Sequence, residues 1–277
     1  MNKTKIEWAL NPDGSPGYTW NPISGCLNNC PYCYARRLAN TRLRERYQAN
    51  VKVSLINIQG VYEDTMNAEV TRRCKDPFYP RFWPDKLYHP WGGKPKGIFT
   101  CDMSDLFGIG VPKEWAEKVL NLIRLHDQNR YYLLTKQPQN LIKFSPFPDN
   151  AWVGVSATTD DMLSSAILYL HNIEAKVKYI SFEPLLEQMK DLSFTLKYSH
   201  IADWVIIGQQ TPIRAATTPK IEWVREIVEA CDKAGIPVFL KNSLKPVLPG
   251  EYPFYKSATG ALFGIKWDMY LKQEFPK

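Results

Sequence analysis

Short apolar runs recur along the chain and alternate with stretches that have helical spacing. Six of these runs are apolar almost throughout and predict β-strands, at residues 96–101, 131–135, 152–156, 177–182, 203–208 and 236–241. Continuous apolar character is typical of parallel strands that are buried on both faces. We therefore expect one parallel sheet with right-handed crossover connections.

Two of the intervening stretches have the apolar stripe of a surface helix. Residues 111–126 place Pro112 in the first turn, and residues 221–235 end at Gly235, a residue typical of a helix terminus. Alternating helices and strands predict an α/β fold, namely a full or partial (β/α) barrel of the TIM type, with a doubly wound open sheet as the alternative. In a barrel the chemistry lies at the carboxyl ends of the strands, where polar residues collect in this sequence.

The chain divides into three regions on this pattern. Residues 1–25 are rich in turn-forming residues and form a segment that leads into the barrel, and residues 18–245 form the barrel. Residues 70–96 hold five prolines and many aromatic residues, which predicts an irregular insertion rather than a βα unit. Residues 246–277 are expected to be a C-terminal extension packed on the barrel.

Composition narrows the cellular setting and the class of partner. The formal net charge is +7 and the sequence pI is about 9.0, which favours a polyanionic partner. The N-terminus is polar, and no apolar run approaches the length that spans a bilayer. We therefore expect a cytoplasmic protein without a membrane partner, in which thiols stay reduced.

Half of the six cysteines lie in one short loop, GCLNNCPYC at 25–33. Cys26, Cys30 and Cys33 have the spacing CxxxCxxC, and clustered thiolates hold zinc or iron–sulfur clusters. A 4Fe–4S cluster held by three thiolates keeps one iron open for another ligand, which favours a reactive cluster. A zinc site completed by Cys74 or Cys101 is the alternative.

Several motifs besides this loop resemble one family. They are TKIEW at 4–8, TWNPISGC at 19–26, CYARR at 33–37, MSDLF at 103–107, LLTKQPQNL at 133–141, WVGVSATTD at 152–160, SFEPLL at 181–186, DWVIIG at 203–208 and AGIPVFLK at 234–241. In this order they resemble a phage-associated radical S-adenosylmethionine (SAM)-like family of unknown function. That family belongs to the radical SAM superfamily and is distantly similar to spore photoproduct lyase. The resemblance covers residues 4–242, and the chain departs from it in reading GQQT at 208–211, where the family commonly reads a Gly-Gly-Glu-Ser-like stretch.

The resemblance implies two cofactors and a catalytic centre. Cys26, Cys30 and Cys33 would hold a 4Fe–4S cluster whose open iron binds SAM, and reductive cleavage of SAM would release a 5′-deoxyadenosyl radical. Cys101 would be a hydrogen donor, with core packing as the alternative. The expected contacts of SAM are strand-end residues and a loop tyrosine: Tyr32, Asp102, Ser104, Asp105, Lys136, Ser156, Glu183 and Gln209. An electron donor of the flavodoxin or ferredoxin type and a separate partner protein are the expected partners.

Cations interleaved with aromatic residues suggest the substrate. The candidate contacts lie after the cysteine loop and in the insertion: Arg36, Arg37, Arg44, Arg72, Arg73, Arg81, Trp83 and Trp91. Positive charges for phosphates beside rings for bases are typical of a surface that binds single strands or flipped bases. We therefore expect an enzyme acting on DNA, RNA or a nucleotide, by base modification or a repair-like rearrangement. The alternatives are a peptide or small-metabolite substrate, and a non-enzymatic metal-stabilised nucleic-acid-binding protein.

Overall fold

Eight strands form one mostly parallel sheet in the computed structural model, which describes residues 1–50, 75–89, 91–190, 192, 196, 201–248 and 271–276. The sheet order is β1-β2-β5-β6-β7-β8-β9-β10, and only the pair β1–β2 is antiparallel. A separate antiparallel pair is formed by β3 and β4. The strands are β1 (Asn2–Lys3), β2 (Tyr18–Trp20), β3 (Ile23–Ser24), β4 (Arg81–Phe82), β5 (Gly97–Thr100), β6 (Arg130–Thr135), β7 (Ala151–Ser156), β8 (Val177–Phe182), β9 (Trp204–Ile207) and β10 (Val238–Leu240).

The expectation of a parallel α/β sheet is confirmed, and each of the six apolar runs overlaps a strand. Strand β2, which the sequence analysis did not identify, is three residues long and pairs with β5. After β2 the chain passes through the short strand β3 and enters the cysteine loop at 25–33.

In the described residues five α-helices accompany the sheet: α1 (Tyr34–Asn40), α2 (Arg44–Gln48), α3 (Lys113–Leu125), α4 (Asp160–His171) and α5 (Ile221–Ala234). The predicted helices correspond to α3 and α5. Pro112 was predicted to lie in the first turn of α3. It is the N-cap instead, one position before the helix begins. Helix α5 ends as predicted, because Gly235 adopts a left-handed conformation with φ of 70°.

The sheet curves around Trp8, a buried residue of the N-terminal segment. The Trp8 ring lies 4.9 Å from the ring of Phe99 on β5 and 6.2 Å from that of Trp204 on β9. In a flat sheet, two strands four positions apart would be separated by about 19 Å. One side chain can contact both only because the sheet bends, and an aromatic layer fills its concave face.

The sheet is not a closed barrel in the described part of the chain, since β1 and β10 are its two ends. Residues 271–276 cover the edge of β10: the Leu240 N–H donates to Lys272 O at 2.7 Å, and the Phe275 ring packs 5.1 Å from Trp204. These residues of the C-terminal region therefore pack on the sheet.

The insertion at 70–96 forms no βα unit in its described residues, 75–89 and 91–96. It supplies β4 and a short 3₁₀ turn at Pro84–Leu87. Arg72, Arg73 and Cys74 lie outside the described residues.

Among the helices of the described residues, none has both the length and the apolar character needed to cross a bilayer.

Candidate active site

A cavity of about 290 Å³ opens at the carboxyl ends of the parallel strands, beside the cysteine loop. Its wall includes all twelve residues that the sequence suggested for the cluster, the hydrogen donor and SAM: Cys26, Cys30, Tyr32, Cys33, Cys101, Asp102, Ser104, Asp105, Lys136, Ser156, Glu183 and Gln209. Parallel strands bring these residues together because their carboxyl ends share one edge of the sheet. The roles suggested for them stay predictions.

Two cysteine sulfurs of the loop accept backbone hydrogen bonds. Cys33 is the N-cap of α1, and its Sγ accepts a hydrogen bond from the Arg36 N–H at 3.3 Å. The Sγ of Cys26 accepts one from the Asn28 N–H at 3.4 Å. These N–H groups point positive partial charge at the sulfurs, an arrangement that stabilises thiolates.

The loop begins at Gly25, where the backbone fits closely against its surroundings. Gly25 has φ of +87°, and a Cβ on it would lie 2.2 Å from Tyr79 O. Its N–H donates to Met103 O, and its carbonyl accepts a hydrogen bond from Ser104 Oγ at 2.8 Å. Ser104 therefore holds the cysteine loop in place, and its hydroxyl proton is not free for a ligand.

Asp105 ties the same loop to β6. Its buried carboxylate accepts hydrogen bonds from Asn28 Nδ2 at 3.0 Å, Thr135 Oγ1 at 2.7 Å and the Lys136 N–H at 2.9 Å, and also from the Phe107 N–H. Burial raises the pKa of this carboxyl, and the hydrogen bonds oppose that rise. Four protein donors occupy its oxygens, so Asp105 acts as a structural anchor.

Two of the three loop thiols, those of Cys26 and Cys30, are in an environment that favours their neutral form when no metal is bound. Burial raises the pKa of Cys26 to about 12 and also raises that of Cys30. Among the described residues, no three Cys, His, Asp or Glu side chains are arranged to hold a single metal ion. A cubane binds each thiolate through a different iron, so its ligands need not converge on one point. Three soft sulfur donors on the wall of one cavity fit such a cluster in their chemistry.

Lys136 brings a positive charge to this wall. Its Nζ lies 5.8 Å from the ring centroid of Tyr32, and no carboxylate of the described residues is within ion-pair distance. Burial lowers the pKa of Lys136 and raises that of Tyr32 to about 12. An ammonium that is half-buried and has no ion pair among the described residues favours an anionic ligand.

Asp102 follows β5 on another part of the wall. Asn21 Nδ2 donates to its Oδ1, and the Tyr34 hydroxyl donates to its backbone carbonyl at 2.7 Å. The only donor near its Oδ2 in the described residues is the Tyr34 hydroxyl, at a long 3.4 Å. Burial raises the pKa of this carboxyl. Asp102 keeps more acceptor capacity for a ligand than Asp105 does.

Glu183, Lys241 and Trp8 form a hydrogen-bonded group at the ends of β8 and β10. Glu183 accepts from Trp8 Nε1 through Oε1 and pairs with Lys241 Nζ through Oε2, each at 3.2 Å. Gly208 makes room for this pair, because a Cβ there would lie 2.9 Å from Lys241 Cδ and 3.3 Å from Glu183 Cγ.

Gln209 lies beside this group and is buried. Its Nε2 donates to the backbone carbonyl of Ser243, which fixes the orientation of the amide. Its Oε1 is inaccessible to solvent and accepts no hydrogen bond from the described residues. A buried acceptor without a donor is uncommon and calls for an explanation.

Ser156 and Cys101 are buried residues on the cavity wall. Ser156 ends β7. Cys101 has φ of +65° and is packed in the main apolar core, and burial raises the pKa of its thiol strongly. Its position suits either of the two roles suggested for it, the hydrogen donor or a core residue.

Two residues expected to contact nucleic acid from the surface are instead buried, and that part of the expectation was wrong. Arg81 has no exposed surface, and Asp76 O accepts from its guanidinium at 2.9 Å. Trp91 is 7% exposed and stacks on His126 at 4.9 Å. Proline and aromatic richness in the insertion here reflects packing against the sheet.

The other basic and aromatic candidates differ in their surroundings. Arg36 is held by Cys26 O at 2.9 Å and by Asp76 at 3.6 Å, so it supports the cysteine loop. Trp83 is half-buried and donates to Ser24 Oγ at 2.8 Å. Arg37 on α1 and Arg44 on α2 are exposed, and neither lines the cavity.

Sequence reasoning gave no role to Trp8, Asn28 or Lys241. Lys241 ends a predicted strand, and this position could have identified it as a residue of the site. Asn28 lies inside the cysteine loop, but its partner Asp105 is 77 residues away in the sequence. Trp8 belongs to the turn-rich N-terminal segment, and no local pattern indicates that it enters the concave face of the sheet.

Comparison with known proteins assigns the chain to a family without assigning an activity. No curated protein gives a significant match. A family model described as "Protein of unknown function (DUF5131)" matches residues 3–270, nearly the whole length. The chain therefore belongs to this family.

Proposed function

We propose that the protein is a radical SAM enzyme that binds a 4Fe–4S cluster through Cys26, Cys30 and Cys33. The observation that carries the proposal is the shared cavity: the three thiols of a CxxxCxxC loop open onto the same space as polar residues from the ends of several parallel strands. A protein that used the cysteines only to stabilise its fold would not need this collection of polar side chains. The curved parallel sheet agrees with a partial barrel, the architecture that the resemblance implies.

The residues of the cavity fit SAM in their chemistry. The unpaired ammonium of Lys136 suits the carboxylate of SAM, and Asp102 Oδ2 suits its amino group. Asp105 and Ser104 are already bonded to the protein, so we assign them to holding the loop rather than to SAM. Tyr32 and Ser156 are left to border the nucleoside.

When bound, the cluster and SAM supply a 5′-deoxyadenosyl radical that abstracts hydrogen from a substrate. The protein's part is to orient its ligands and to keep water from the reacting atoms. The aromatic layer on the concave face of the sheet helps to keep water out, because Trp8 and Phe99 line the cavity with apolar surface. Cys101 is placed on the wall as a candidate hydrogen donor.

The proposed substrate is a nucleic acid or a nucleotide, acted on by base modification or a repair-like rearrangement. The support that remains is the net charge of +7 and the exposed arginines of α1 and α2. An electron donor of the flavodoxin or ferredoxin type, a separate partner protein and a cytoplasmic location belong to the same proposal. A small metabolite is the second candidate, favoured by the small volume of the cavity and by the absence of those arginines from its wall.

Anaerobic reconstitution with iron and sulfide tests the proposal. We expect absorbance near about 400 nm and release of 5′-deoxyadenosine from SAM under reducing conditions. Cys30→Ala should lose both, and Cys231→Ala, which removes a buried thiol of α5 outside the cavity, should keep both. Binding of zinc without absorbance in the visible range, or a cluster that releases no deoxyadenosine, would contradict the proposal.

Adding substrates separates the two candidates for the molecule acted on. Faster deoxyadenosine release with DNA, RNA or nucleotides supports the nucleic-acid substrate. An unchanged rate with all of these favours a small metabolite.

A further inference from the structure

Three polar groups that lie side by side at the ends of β8, β9 and β10 are arranged like a recognition site. The strands pair in parallel, with Phe182 opposite Ile207 and Ile207 opposite Leu240. Glu183, Gly208 and Lys241 therefore lie at one level of the sheet, and Gln209 is one residue beyond. Neighbouring strands are about 4.8 Å apart, so these side chains leave the sheet close together.

Each of the three groups has a defined hydrogen-bonding role. Gln209 must present Oε1 as an acceptor, because its Nε2 faces the Ser243 carbonyl. Lys241 is a donor whose charge Glu183 balances at 3.2 Å. Gln209 is 6% exposed and its Oε1 has no donor among the described residues, so the protein itself leaves this acceptor unsatisfied. Because leaving a buried acceptor unpaired is costly, the arrangement suits a ligand that supplies the missing donor.

The surface beside these groups is aromatic and apolar. Trp8 donates to Glu183 and, together with Phe99, lines the same cavity. A planar heteroaromatic ring fits such a surface, and its edge would meet the polar groups. The hydrogen-bonding edge of a base places an N–H donor next to an acceptor atom, which complements an acceptor beside an ammonium.

We propose that Gln209, Lys241 and Glu183 form a subsite for the base of the substrate. A small shift of the Gln209 side chain brings its covered Oε1 to the cavity, where it accepts from a base N–H, and Lys241 donates to the neighbouring acceptor. The inference rests on the proposed function, since it takes the substrate to be a nucleic acid or a nucleotide. It differs from the cofactor contact that the sequence suggested for Glu183 and Gln209.

Ligand-observed NMR on the protein without its cluster tests the subsite with two pairs of nucleosides. Uridine is compared with 3-methyluridine, and inosine with 1-methylinosine, because each methyl group replaces the N–H that Gln209 would accept. We expect at least one unmethylated nucleoside to bind at millimolar concentrations, about tenfold more tightly than its methylated form.

Gln209→Met should lower the affinity for that nucleoside about tenfold and remove the preference over its methylated form. Both effects are expected because the substitution and the methylation delete the same hydrogen bond. Gln188→Met is the matched control, since Gln188 is exposed, bonds to Glu226 and does not line the cavity. Lys241→Met is a second variant that should also weaken binding, and circular dichroism verifies that each variant is folded.

Several results would overturn the subsite. They are equal binding of methylated and unmethylated nucleosides, no binding of any of the four, or the same effect from Gln188→Met. Loss of SAM affinity in the reconstituted Gln209→Met protein with unchanged nucleoside binding would assign the residue to the cofactor instead. Because binding is measured without the cluster, these results are independent of whether SAM is cleaved.

Discussion

The side-chain amide of Asn28 donates to the carboxylate of Asp105 at 3.0 Å, although the two residues are 77 positions apart. Asn28 lies between the first two cysteines, and Asp105 lies after β5. The oxygen of the same amide, Asn28 Oδ1, accepts a hydrogen bond from Gln137 Nε2 at 2.8 Å. The cysteine loop is therefore fixed to the ends of β5 and β6 before any cofactor binds, which reduces the ordering that binding must impose.

Asp105→Asn should destabilise the fold and loosen the cysteine loop. An amide nitrogen would face backbone and side-chain donors, so we expect a loss of about 2–3 kcal/mol in the free energy of unfolding. Urea denaturation measures it, and iron bound per chain after reconstitution should fall as well. Asp127→Asn removes an exposed carboxylate and serves as the control. A fully stable Asp105→Asn protein would show that the anchor is dispensable.

Gly25→Ala should be far more damaging than Gly14→Ala. Both glycines have positive φ, at +87° and +81°, so both substitutions carry the same backbone strain of about 1 kcal/mol. A Cβ at Gly25 would meet Tyr79 O at 2.2 Å, whereas no atom of the described residues lies within 4 Å of a Cβ at Gly14. We expect a larger fall in thermal midpoint and weaker iron loading for Gly25→Ala alone. Equal effects in the two variants would rule out the close contact as the cause.

Lys136→Met should stabilise the fold and weaken the binding of SAM. Removing a half-buried ammonium that has no ion pair among the described residues relieves its desolvation, so we expect the free energy of unfolding to rise. The affinity of the reconstituted protein for SAM, measured by equilibrium dialysis, should fall about tenfold with the loss of a charge-assisted contact. Lys143→Met, at an exposed lysine, should change neither quantity. Unchanged SAM affinity would remove Lys136 from the cofactor site.

Stability should fall as the pH rises from about 10 to about 12, in part because of Tyr47. Burial raises the pKa of this phenol to about 12, whereas in the unfolded chain the pKa is about 10. Between these values the folded state holds a proton that the unfolded state has lost, so deprotonation favours unfolding. Tyr47→Phe should reduce the loss between pH 9 and 11 by about 1 kcal/mol in urea denaturation.

Tyr88→Phe provides the control, because Tyr88 is 85% exposed. Its stability should follow the same pH curve as the wild type. If Tyr47→Phe also follows that curve, the buried phenol makes no contribution to the alkaline loss.

Replacing Arg37 and Arg44 together by Gln should weaken binding of a single-stranded oligonucleotide. If each arginine contacts one phosphate, the slope of log affinity against log salt should become shallower by about 1.4. Fluorescence anisotropy over a range of salt concentrations measures it. Lys113→Gln with Arg124→Gln, on helix α3, should leave the slope unchanged. An unchanged slope in the Arg37 and Arg44 variant would move the nucleic-acid surface elsewhere or exclude it.

The sheet was largely predictable because its strands are buried on both faces, so each reads as an apolar run. The site was predictable for a related reason: residues such as Lys136, Ser156 and Glu183 end or follow those runs, and parallel strands bring their ends to one edge. The parallel topology alone was therefore enough to predict that these residues lie together.

Contacts between distant segments were not predictable in this way. Asp105 reads as one more strand-end carboxylate, and only the fold reveals that four protein donors already occupy it. Arg81 and Trp91 have the composition of a nucleic-acid surface, yet they are buried, because the same residue types also serve as packing against a sheet. The curvature around Trp8 depends on a side chain from outside the strand pattern.

The position of Trp8 has a practical consequence for work on shortened chains. Removing residues 1–16 would leave β2, all the remaining parallel strands and all the cysteines, so the secondary-structure content would look nearly intact. Such a chain would nevertheless lose the indole that supports Glu183 and fills the hollow of the sheet. A trimmed protein that is folded but inert would thus be misread as evidence against the chemistry.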